Sequence, residues 1–87
     1  MNIKDAKNLL NEILDICTQI EDPILTDAAE GIYRDAQAAK SPEQVLRCAS
    51  ELMIFVNDTP WDDYDPELKS EIERIYIDLQ EGCEDFE

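Results

Sequence analysis

Histidine is missing from this chain altogether, and with it go the usual general base, the usual zinc ligand and the usual proton switch near neutral pH. Cations are scarce as well: seven lysines and arginines stand against twenty-two acids, a formal net charge of -15. Nucleic acid and anionic membrane are poor partners for such a chain, because each phosphate contact needs a cation. The two glycines form no phosphate-cradling loop, and no apolar run reaches the length of a membrane span. The start, Met-Asn-Ile-Lys-Asp, lacks the basic-then-apolar order of a secretory signal, so the expected location is the cytoplasm. Three cysteines, Cys17, Cys48 and Cys83, are an odd count without CxxC spacing and read as buried free thiols.

What is present is apolar residue enough, 44%, for 87 residues to bury a core as one domain spanning 1–87. Ile3, Ala6, Leu10, Ile13, Cys17 and Ile20 recur at spacings of three and four, with Leu9 and Ile16 widening the stripe, which predicts an amphipathic helix over about 3–21. Asp22-Pro23 ends it and begins a second helix over 23–39, with Asp22 as N-cap and Ile24, Leu25, Ala28, Ile32, Ala36 and Ala39 as the inner stripe. Ser41-Pro42-Glu43-Gln44 has the pattern of a capping box and opens a third helix over 42–57. That helix is apolar round most of its circumference and so is expected to be the most buried, with Ile54 the residue to inspect for an exposed patch. Asp65-Pro66-Glu67 repeats the cap-then-proline order before a fourth helix over 66–81, on which Leu68, Ile72, Ile75, Tyr76 and Leu79 share a face and Ile77 lies off it. Gly82 is placed as its C-cap, and an acidic tail over 82–87 follows, which Phe86 could pin by continuing the spacing. Short connections imply antiparallel neighbours, so the expected fold is all-α, a compact, mostly antiparallel four-helix bundle.

Catalytic chemistry finds little purchase. Without histidine no Ser-His or Cys-His pair can form, and a di-iron site lacks its Glu-x-x-His members. Glu67 and Glu71 are four apart on a helix, but paired carboxylates arise by chance in a chain this acidic. A calcium loop of the EF-hand kind needs glycine at its sixth position, and no register from Asn57, Asp58 or Asp62 supplies one. The expectation is therefore a chain that is not an enzyme and holds neither cofactor nor metal.

The stretch Asn57 to Glu67 has another use. It contains five acids, no base, the single tryptophan and a tyrosine, between two strong helices. Aromatic anchors ringed by carboxylates suit the docking of a basic protein, since the aromatics supply desolvated area and the charge steers encounter. The candidate binding residues are Asp58, Trp61, Asp62, Asp63, Tyr64, Asp65 and Glu67, with Glu71 and Asp78 extending them along the fourth helix. A competing structural reading has Trp61 and Tyr64 folding back over the end of the bundle while Asp65 caps the fourth helix.

Cys48-Ala-Ser-Glu51-Leu52 and, after the acidic loop, Leu68-Lys69-Ser-Glu71-Ile72 are similar to the second half of helical immunity proteins. Bacteria make these against nuclease bacteriocins of the colicin type and contact-dependent inhibition toxins, including tRNA-cleaving ones. The resemblance implies an inhibitor that occludes the basic active-site cleft of a nuclease toxin by imitating the charge of its substrate. Two other readings compete. In one, a phage-encoded nucleic-acid mimic blocks a host defence nuclease and uses Glu12, Asp15, Asp27, Glu30 and Asp35 as much as the loop. In the other, a structural homodimer closes over Ile54 and Ile77.

Overall fold

A computed structural model describes residues 2–84 of the chain and contains four helices: α1, Ile3–Ile20; α2, Pro23–Gln37; α3, Pro42–Asp58; and α4, Pro66–Glu84. The protein is an all-α four-helix bundle, and no strand occurs among the described residues. Its radius of gyration is 12.3 Å, against about 12 Å for a packed domain of this length.

Local chemistry sets each helix start. Asn2 Oδ1 accepts the N–H of Asp5 (2.8 Å) at the head of α1. Asp22 Oδ1 accepts from Ile24 (2.9 Å) and Leu25 (3.0 Å), with Pro23 in the first turn, where its missing N–H is no loss. Ser41 Oγ accepts from the N–H of Gln44 (3.3 Å), and the Gln44 side chain returns to the N–H of Lys40 (2.7 Å), one residue earlier than a standard capping box. At the start of α4, Asp65 Oδ1 accepts from the N–H of Glu67 (3.0 Å).

Helix ends differ from the sequence-based expectations. α1 stops at Ile20, because Glu21 turns into the left-handed region (φ 62°, ψ 21°) and redirects the chain into α2. α2 stops at Gln37, although Ala39 beyond it is still buried. Lys7 Nζ donates to the Gln37 carbonyl (3.3 Å), placing a cation where the helix dipole favours one. Gly82 does not cap α4. It lies inside the helix, which continues through Cys83 to Glu84 and carries the buried Cys83 thiol to the Pro42 carbonyl (3.5 Å). Phe86 lies outside the described residues.

The core also departs from expectation in its emphasis. α1, not α3, is the most buried helix: Ala6, Leu10, Ile13, Leu14, Ile16, Cys17 and Ile20 are all inside, because Leu14 and Ile16 widen its inner stripe, although α1 and α3 each pack against all three other helices and only α2 and α4 do not meet. α3 buries Val45, Ala49, Leu52 and Val56 and leaves a second, outward face. On α2 the inner positions are Leu25, Ala29, Ile32 and Ala36, whereas Ile24, expected inside, is 72% exposed. Ser50 Oγ and Tyr76 Oη are 2.8 Å apart and tie α3 to α4, and no buried side-chain polar atom among the described residues lacks a partner.

Candidate protein-docking surface

The loop between α3 and α4 is tied down at both ends by its own side chains. Thr59 closes α3, its N–H reaching the Val56 carbonyl (3.3 Å) and its hydroxyl the Phe55 carbonyl (2.9 Å). The Val56 carbonyl also accepts the indole N–H of Trp61 at 2.7 Å, so the half-buried ring folds back over the bundle and caps a helix end that would otherwise face water. Trp61–Asp63 then forms a single 3₁₀ turn, closed by Asp63 N–H to Pro60 O (3.0 Å) and Tyr64 N–H to Trp61 O (3.2 Å). Tyr64 packs against the core and donates its hydroxyl to Asp22 Oδ2 (3.3 Å), across to the start of α2.

The two aromatic residues therefore face inward with their polar atoms engaged, as in the competing structural reading of the loop. The remaining candidates face out. Asp58, Asp62, Asp63, Asp65 and Glu67 are exposed on or beside the fixed turn. Glu71 and Asp78 are exposed further along α4, on the same helical face as Glu67. Arg74 stands in that row, three positions after Glu71 and four before Asp78, so the acidic surface along α4 is interrupted there. Lys69 and Glu73 form the single ion pair among the described residues (3.9 Å), leaving the loop carboxylates without a cation partner.

Burial leads the titration shifts of Tyr64, Cys17 and Cys48. Burial, then the charge of Asp22, the hydrogen bond to it and the charge of Asp63 push the Tyr64 hydroxyl above its ordinary range. Burial pushes the Cys17 thiol up to about 12. Burial followed by the carboxylates of Asp35 and Glu51 raises Cys48.

The sequence reading singled out Ile54 and Asp58 on this side of the molecule and missed the residues that stand around them. Ile24, Phe55, Pro60 and Thr59, with Asp22 and Asp58, line a groove of about 250 Å³ between the start of α2 and the end of α3. Beside it Ile54 is 63% exposed and Phe55 42%. The signal was present in the spacing, because Glu51, Ile54, Phe55 and Asp58 fall at i, i+3, i+4 and i+7 and form a second stripe opposed to the core stripe. A larger groove of about 440 Å³ between α1 and α2 carries charges of both signs in Asp15, Glu30 and Arg34. No group of three or more cysteine, aspartate or glutamate side chains among the described residues is arranged to hold a metal ion, and no helix is long and apolar enough to cross a membrane. Comparison with known proteins finds no matching family model, no matching curated protein and no matching solved structure.

Proposed function

We propose that this chain is an inhibitor that binds a basic protein, specifically a nuclease toxin that cleaves RNA or tRNA, and blocks its cleft with an acidic surface. The observation that carries this reading is a hydrogen-bonded turn presenting Asp58, Asp62, Asp63, Asp65 and Glu67 to solvent with no cation partner among the described residues. Carboxylates held in place without internal compensation repel one another, and an incoming lysine or arginine cluster relieves that repulsion on binding. The chain acts in the cytoplasm as an immunity protein, catalyses nothing and takes no cofactor.

Trp61 and Tyr64 have a changed part in this scheme. They hold the turn in its presented shape, which lowers the ordering cost of association. The charge controls encounter. Replacing Asp62 and Asp63 by asparagine slows association with the cognate toxin most at low salt, and co-expression of the chain rescues growth of cells making that toxin. Unchanged association and dissociation rates in the double variant remove the loop from the interface.

The nucleic-acid mimic remains a second reading because Glu12, Asp15, Asp27, Glu30 and Asp35 are also exposed, on α1 and α2, away from the loop. Charge reversal at Asp27 and Glu30 separates the two: it weakens a mimic that uses the whole surface and leaves a loop-centred inhibitor unchanged.

A further inference from the structure

The exposed apolar residues of the bundle are not scattered evenly. Ile24 at 72% exposure and Phe55 at 42% share one groove with Pro60, and Ile54, 63% exposed, does not line the groove but precedes Phe55 on the outward stripe of α3. Glu51 lies three residues before Ile54 and Asp58 four after it, so acids bound the patch along the helix, and Asp58 also lines the groove. An apolar centre with a charged border is the anatomy of a protein-binding surface, in which the centre supplies affinity and the border supplies rate and selection.

We propose that this groove is the anchor of the interface: it receives an apolar side chain of the basic partner, while lysines or arginines flanking that side chain meet Glu51 and Asp58. The inference rests on the basic-partner reading and relocates its centre from Trp61 to Ile24, Ile54 and Phe55. Charge decides the occupant. A second copy of this chain would bring another net charge of -15 and set Glu51 and Asp58 against acids of the same kind, whereas a cationic partner gains from the same border. Trp61 cannot serve as the anchor without giving up its 2.7 Å bond to Val56 O.

The test uses the intact chain and two synthetic peptides of equal positive charge, one with leucines between its arginines and lysines, the other with serines in their place. Titration calorimetry and amide chemical shifts report affinity and location. The leucine peptide binds about tenfold tighter than the serine peptide, with shifts centred on Ile24, Ile54 and Phe55. Ile24→Ser and Ile54→Ser, both at exposed positions, abolish that advantage and keep the helical circular dichroism of the parent, whereas Ile77→Ser, at an exposed site elsewhere, leaves it intact. Equal, salt-sensitive binding of both peptides overturns the anchor and leaves the basic-partner reading standing. Absence of binding by either peptide overturns both. A concentration-dependent dimer in sedimentation that Ile54→Ser dissolves also overturns the proposal, because the patch is then covered by a second copy.

Discussion

Tyr64 donates its hydroxyl to Oδ2 of Asp22 across 3.3 Å, while Oδ1 of the same carboxylate accepts the N–H groups of Ile24 and Leu25. One buried acid thus fixes both the start of α2 and the loop between α3 and α4. Asp22→Ala is expected to lower stability by about 2 kcal/mol, the upper end for a lost N-cap, because a second bond is lost with it. Tyr64→Phe is expected to cost less and to spare the helix start. Denaturant unfolding with an unchanged m-value checks the first, and amide exchange in Trp61–Asp63 checks the second.

The same pair sets an alkaline limit. The folded chain holds the Tyr64 proton more tightly than the unfolded chain does. The associated stability is therefore fully present below about pH 10 and is lost as pH climbs through the folded-state value. In Tyr64→Phe the fall in stability above pH 10 is shallower than in the parent, measured by urea unfolding across that range. Parallel curves for the two chains would contradict the coupling of Tyr64 to Asp22.

Trp61 is the second fixing point. Trp61→Ala removes a half-buried ring and one of the two donors to the Val56 carbonyl, for an expected loss of about 2 kcal/mol; Trp61→Phe keeps ring packing without the N–H and loses about 1 kcal/mol. Both are read from thermal unfolding by circular dichroism. If Trp61→Ala left stability unchanged and accelerated only the dissociation of a partner, the ring would belong to the interface after all.

Helix starts were legible in the sequence because their causes are local. Asp22-Pro23, Ser41-Pro42 and Asp65-Pro66 each carry the acceptor and the proline within two residues, and the helices begin where those pairs stand. The sides of the helices were less legible. Periodicity gives the direction of an apolar stripe, yet whether Ile24 or Ala29 is covered depends on where the neighbouring helix runs out, and α3 leaves the first turn of α2 open. The loop was least legible. Both orientations of Trp61 and Tyr64 fit the sequence, and the contacts that select the inward one, Trp61 to Val56 five residues back and Tyr64 to Asp22 forty-two away, lie outside any periodic pattern.

Glycine stands where this chain does not need it and is missing where it would help. Gly31 is exposed within α2, adopts no positive φ, and a Cβ built there meets nothing within 4 Å. Gly31→Ala is expected to stabilise by about 1 kcal/mol through helix propensity. Glu21 occupies the left-handed region at φ 62°, so Glu21→Gly relieves backbone strain and removes one negative charge, for a gain of about 0.5–1 kcal/mol. The two sites are far enough apart in the fold for additive effects, and the double variant in urea unfolding checks that.

The cysteines are expected to differ sharply in reactivity. The thiolate is the reactive form, and burial holds Cys17 at about 12. Cys48 is half-buried, and its thiol is raised by burial and by Asp35 and Glu51. Under native conditions at mildly alkaline pH, a thiol reagent followed by mass spectrometry labels Cys48 slowly and Cys17 only through unfolding. Denaturant then removes the difference. Equal native rates at Cys17 and Cys48 would mean that α1 opens locally without global unfolding.

Self-repulsion is the remaining load on the fold, and it links stability to binding. With a net charge of -15 and one ion pair among the described residues, urea unfolding midpoints are expected to rise as sodium chloride is added, since the screening length shrinks to about 10 Å at 0.1 M. The double substitution Asp62→Asn and Asp63→Asn raises the urea midpoint at low salt and flattens its salt dependence. The same substitution slows association with a basic partner, because the charges that strain the turn are those that steer the encounter. Stability and association rate therefore move in opposite directions in this variant. A chain that gained stability and kept its association rate would separate the repulsion in the loop from recognition, and would move the search for the steering charges to Glu51 and Asp58.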